Sequence, residues 1–114
     1  MTRAHLFNRR AAHSFEIEHF DPLAAPAGAG GAVLRLHITI GEYKDGKPGE
    51  VFVSVLDKAG KGSMLEAIAR DAAVLISLGI QHGVSIGTMK RAITRDEQSR
   101  PQTFVGAVLD AMEG

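Results

Sequence analysis

A chain of 114 residues has room for one domain and one core, too little for a catalytic barrel or a doubly wound sheet. Its 13 basic and 13 acidic residues balance to zero, so no overall field draws it to nucleic acid or an anionic membrane, and any such attraction must be local. With no cysteine it has no disulfide, thiolate nucleophile, cysteine–zinc site or thiol redox relay.

The first residues, MTRAHLFNRR, carry Arg3, Arg9 and Arg10 but neither the apolar run nor the small-residue cleavage pattern of a secretory signal. Residues 1–13 are therefore expected to be a disordered basic arm on a cytoplasmic protein, with one domain over 14–114. Ser14 to Phe20 alternates, placing Phe15, Ile17 and His19 on one face of a first strand and Glu16 and Glu18 on the other. The Ala/Gly/Pro-rich stretch 21–32 has little to bury and reads as a flexible loop. Val33 to Tyr43 alternates again, setting Leu34, Leu36, Ile38 and Ile40 against Val33, Arg35, His37 and Thr39. Asp45 and Gly46 tolerate the positive φ angles of a hairpin turn, and Glu50 to Leu56 follows as a third strand with Val51, Val53 and Val55, or else Phe52 and Leu56, inward.

The stretch Lys58 to Val84 organises the rest. Ser63 with Glu66 three positions on forms a capping box, and Gly83 supplies a stop. Leu65, Ile68, Ala72, Leu75, Ile76, Gly79 and Ile80 fall on helical spacing, and the run AAVLISLGI is apolar almost all round, which places this helix at the centre with Leu75 in the core. The apolar part is too short to cross a bilayer. Ser85 caps a second helix to about Ile93, burying Ile86, Met89 and Ile93 and exposing Lys90 and Arg91. Thr94 to Gln102 is a polar loop, Pro101 suits a first helical turn, and Phe104, Val105, Val108, Leu109 and Met112 form a last apolar stripe. Three strands followed by three helices (β-β-β-α-α-α) predict an α+β fold, a three-stranded antiparallel meander with the helices packed on one face.

Chemistry is thinly signalled. Lys58, Lys61, Gly62 and Ser63 run into a helix N-terminus and form a candidate anion site, although Lys61 precedes Gly62 and the glycine spacing departs from a Walker A loop. Lys90, Arg91 and Arg95, with Arg100 nearby, extend a candidate basic patch that Asp96 and Glu97 dilute. One tyrosine and no tryptophan leave few platforms for stacking bases. His5, His13, His19, His37 and His82 include no pair spaced four apart. His19 and His37 lie on adjacent strands, where a meeting of the two or a wet sheet face is open, and His82 ends the long helix, where the helix dipole favours a cation.

Gly41, Tyr43, Asp45-Gly46, Pro48, Glu50-Val51-Phe52, Lys58-Ala59-Gly60, Ser63, Ala69-Arg70-Asp71, Ser77 and Gln81-His82-Gly83-Val84 together resemble the TSCPD domain over Ser14 to Met112. That domain closes cobalamin-dependent (class II) ribonucleotide reductases and also occurs as small free-standing proteins. The reductase's barrel, its cysteines and the domain's own cysteine motif have no counterpart here, so the resemblance carries over no catalytic, metal or cofactor residue.

The resemblance implies a non-catalytic accessory or binding module in deoxynucleotide metabolism and DNA synthesis, without a cofactor, acting on a ribonucleotide reductase subunit or a nucleotide. The alternative is a small nucleic-acid-binding protein that uses the basic arm with Lys90, Arg91 and Arg95. Because the sheet face opposite the helices carries Val33, Thr39, Phe52 and Leu56, a homodimer formed through the sheet is also expected.

Overall fold

Residues 11–21, 32–56 and 64–113 are described by the structure, a computed structural model. They form β1 (Ala12–Asp21), β2 (Ala32–Glu42), β3 (Pro48–Val55), α1 (Met64–Gln81), α2 (Ile86–Ala92) and α3 (Phe104–Glu113). The sheet runs β1-β2-β3, antiparallel throughout, and the fold is the expected α+β meander with helices on one face. Residues 1–10 of the arm, most of the Ala/Gly/Pro loop and the capping serine Ser63 lie outside the described residues, whereas Ala12 and His13, expected in the arm, belong to β1.

Alternation along the strands writes the sheet's two faces. Phe15 sits opposite Ile38, which sits opposite Val53, and Ile17, Leu36 and Val55 form the next rung. Leu36, Ile38, Ile40, Val51, Val53 and Val55 are all buried on this face. β1 starts at Ala12, two residues before the alternation begins, because polar cross-strand pairs extend the ladder: the Ser14 and Thr39 hydroxyls are 2.8 Å apart and His13 Nδ1 lies 2.7 Å from Glu42 Oε1. The β2–β3 hairpin turn falls where expected, but only Gly46, not Asp45, takes a positive φ. Gly46 has φ +84°, its N–H meets the Tyr43 carbonyl at 2.9 Å, and Asp45 Oδ1 accepts from Lys47 N at 2.9 Å.

The principal correction concerns α1, which lies along β3 and buries Ala69, Ala73 and Ile76, whereas Leu75 is 69% exposed and Ile68 and Val74 face out with it. One residue is a 100° rotation of the helix, so Ile76 and Leu75 cannot both point at the sheet. Two alanines at the contact let α1 approach closely, and the rest of the narrow sheet belongs to α3, which packs on β1 and β2. No further layer lies over the back of α1 among the described residues.

The stops are as expected. Gly83 at φ +91° ends α1, with Val84 N bonded to the Gly79 carbonyl at 2.9 Å and Gly83 N to that of Ile80 at 3.0 Å. Ser85 Oγ accepts from Thr88 N at 3.0 Å at the start of α2. Pro101 is not in a first helical turn: it bridges to Arg95, and α3 begins at Phe104. Asp96 causes this, because its Oδ1 accepts from both Gln98 N and Arg100 N at 2.9 Å and closes the polar segment into a tight loop that holds Pro101 in place. Phe104, Val108, Leu109 and Met112 then complete the core.

Candidate partner-binding groove

β3 is an edge strand, and hydrogen bonds show which of its backbone groups face outward. Leu56 N bonds to the Arg35 carbonyl of β2 at 2.9 Å, whereas Val51 N points the other way and donates to Ser77 Oγ at 2.9 Å. Backbone groups alternate sides along a strand, so the N–H and C=O of Val53 also point to the outer edge. α1 closes only the first part of that edge. Ser77 Oγ lies 2.8 Å from the Ala73 carbonyl and 3.2 Å from that of Val51, either of which accepts its proton, and Gln81 Nε2 donates to the Gly49 carbonyl at 2.9 Å. Among the described residues nothing covers Val53 in the same way.

Between that open stretch and α1 lies a groove of about 500 Å³. Phe52, Val74 and Leu78 supply its apolar wall, and Glu50 and Arg70 supply charge at its rim. Arg70 Nη2 stands 3.7 Å from Glu66 Oε1, one turn back along the helix. An open strand edge with apolar walls and a charged rim suits an extended polypeptide, whose backbone can continue the sheet while alternate side chains enter the groove.

The residues singled out for anion binding lie elsewhere. Lys58, Lys61, Gly62 and Ser63 fall outside the described residues. Lys90 and Arg95 meet at a corner built by α2, α3 and the loop between them. There Arg95 forks onto Asp110 with Nη2–Oδ1 2.7 Å and Nη1–Oδ2 3.2 Å, and Lys90 Nζ lies 3.9 Å from the same Oδ1. Arg95 Nε and Nη1 also donate to the carbonyls of Lys90 and Ser99, at 3.2 and 3.0 Å. The Arg95 hydrogen bond holds the Asp110 carboxyl below its usual range, while the same bond raises the guanidinium. Lys90 is thus half-buried rather than exposed, because it leans towards Asp110; Arg91 is exposed as expected, with Nη2 3.5 Å from Thr88 Oγ1. Arg100 Nε is paired with Asp96 at 2.9 Å, and hydrogen bonds from Arg100 lower that carboxyl.

His19 and His37 do not meet. His19 is buried on the core face opposite Leu34, with Nε2 lacking a hydrogen-bond partner, whereas His37 is opposite Glu16 on the other face. Among the described residues no cluster of three or more His, Asp or Glu side chains is placed to hold a metal ion. Ser77 and Gln81, which shape the groove, have a plain signal in the sequence: they are polar residues one turn apart in an otherwise apolar run.

Residues 27–111 match the TSCPD domain family, and the chain belongs to it. β1 precedes the matched span, which takes in the β2–β3 turn, the groove, α1, α2 and α3 as far as Ala111. One relative is a Vitamin B12-dependent ribonucleotide reductase from Bradyrhizobium diazoefficiens, 33% identical over 60 residues. Those residues are 53% of this chain but 4% of that protein. No solved structure matches. None of the described helices is long and apolar enough to cross a membrane.

Proposed function

We propose that this chain is a non-catalytic binding module that serves deoxynucleotide supply by docking on a protein partner, a ribonucleotide reductase being the first to test. The observation that carries this reading is the β3 edge at Val53, which no hydrogen bond closes among the described residues, beside the apolar wall of Phe52, Val74 and Leu78. The partner contributes an extended segment that adds to the sheet, with backbone hydrogen bonds giving affinity and the groove giving selectivity. Family membership and the Bradyrhizobium relative point to the reductase. Absence of cysteine supports a role without the thiol chemistry such a reductase needs. At the corner, Arg95 and Lys90 both face Asp110, which weighs against the nucleotide and nucleic-acid readings of that patch.

The test is a calorimetric titration of the chain against a purified B12-dependent ribonucleotide reductase. Val74→Glu and Phe52→Lys alter exposed groove walls without touching the core, and each is expected to weaken binding by about tenfold or more, the equivalent of ~1.4 kcal/mol. Binding that ignores both substitutions places the contact elsewhere. No binding at roughly 100 μM, where even a weak specific contact registers, removes the reductase as partner.

A further inference from the structure

The back of α1 carries a surface with its own internal symmetry. Asp71, Leu75, Leu78 and His82 are spaced four, three and four residues apart, which keeps them in one stripe opposite the buried Ala69 and Ala73. Leu75 is well exposed, Leu78 is half-buried, and Ile68 and Val84 lengthen the apolar strip at either end. Asp71 makes no ion pair among the described residues. His82 Nδ1 is 2.9 Å from the Leu78 carbonyl; a carbonyl only accepts, so Nδ1 donates, and Nε2 has no partner among the described residues.

This stripe reads the same in both directions apart from its ends, which are an acid and an imidazole. We propose that a second copy of this chain covers it, with the two α1 helices antiparallel across a two-fold axis level with Ile76 and Ser77. Leu75 then packs on Leu78 of the second copy, Asp71 meets the second copy's His82, whose Nε2 donates to the carboxylate in the doubly protonated ring, and both contacts occur twice. That reciprocal charge match favours a second copy over an unrelated partner, because an isologous interface requires one stripe to be its own complement. Ile68 falls near Val84 of the second copy, so the exposed apolar residues at both ends are covered too. The contact is one helix wide, narrower than the ~800 Å² per partner of a standard stable interface, so the dimer is of micromolar affinity. It goes beyond the docking role above: Leu78 borders both surfaces, but Asp71, Leu75 and His82 do not line the groove.

Sedimentation velocity on the full chain at roughly 10 to 200 μM, the range for so narrow an interface, tests this directly. A dimer is expected at the upper end. Leu75→Asp should give a monomer throughout with an unchanged circular dichroism spectrum, since Leu75 is outside the monomer's core. Asp71→Lys should weaken the dimer about tenfold, and Asp71→Lys with His82→Asp should recover most of that, because the pair is restored with its signs exchanged. A monomer mass at every concentration overturns the proposal, as does a dimer indifferent to Leu75→Asp. A double variant no tighter than Asp71→Lys alone overturns the antiparallel register.

Discussion

α1 and α3 carry apolar stripes that look alike in the sequence, yet they spend them differently. α3, ten residues long, turns Phe104, Val108, Leu109 and Met112 into the core over β1 and β2. α1, eighteen residues long and apolar over most of its surface, buries Ala69, Ala73 and Ile76 on β3 and leaves Ile68, Val74 and Leu75 outside. Their polar residues differ in the same sense. Ser77 and Gln81 of α1 face inward and satisfy the backbone of the sheet edge, whereas Asp110 of α3 faces away from the sheet and is held by Arg95. Apolar content thus says that a helix packs, while the width of the sheet beneath decides how much of it is covered.

The sharpest break in this comparison is Ile76→Ala, which removes the largest α1 side chain in the core and should cost about 2 to 5 kcal/mol, measured by urea denaturation. A cost under about 1 kcal/mol would mean that α1 contributes little to the core. On the α3 side the corresponding change is Gly106→Ala. A Cβ there would lie 2.5 Å from Ile93 Cδ1 and 2.5 Å from Pro101 Cβ, and the proline ring cannot swing away. Overpacking of this kind should cost about 1 to 3 kcal/mol and lower the melting temperature; an unchanged melt would show that α3 is not held so closely against the loop. Ser77→Ala tests the inward polar contact of α1. It strands the Val51 N–H in a part-buried position, for about 1 to 3 kcal/mol, and amide exchange at Val51 should speed up with it.

Acid should loosen the α2–α3 corner while sparing the α1–β3 packing. Both Asp110 and Asp96 titrate lower when folded than their unfolded value near about pH 4. A depressed folded pKa contributes stability that is fully present above the unfolded value and is lost as pH falls through the folded one. Below about pH 4, therefore, amide exchange in the loop around Asp96 and at the start of α3 should rise before that of β3, and Asp110→Asn should show the Asp110 share of that loosening already at neutral pH. Simultaneous loosening of both halves would argue against a local cause.

How far the sequence foretold all this depended on whether a residue's surroundings are local. The strands were legible because period-two alternation with one wet face admits a single register of faces, and Gly46, Gly83 and Ser85 mark turns and caps within their own few residues. The same alternation put His19 beside Phe15 and Ile17 on the core face, and only the habit of histidines to stay wet argued otherwise. The side of α1 that packs was not legible, since AAVLISLGI is apolar at nearly every angle and offers no wet face to orient it. The roles of Ser77 and Gln81 required knowing that α1 lies along the β3 edge. Arg95 and Asp110 are fifteen residues apart on different elements, so nothing in their spacing announces the pair.

The smallest expected effect is the most discriminating. Leu75→Ala removes as much side chain as a core leucine would lose, but from a position that is 69% exposed, so it opens no cavity and gives up little buried area. In a dilute monomer it should change stability by no more than about 0.5 kcal/mol, against several for Ile76→Ala one residue on. If a second copy covers the back of α1, the cost should grow with protein concentration, because the wild-type fold gains stability by mass action from association and the variant does not. Denaturation of both proteins at low and high concentration therefore separates the two faces of the helix and the two states of the chain together. A large cost already present at the lowest concentration would return Leu75 to the core of the monomer and turn α1 about its axis.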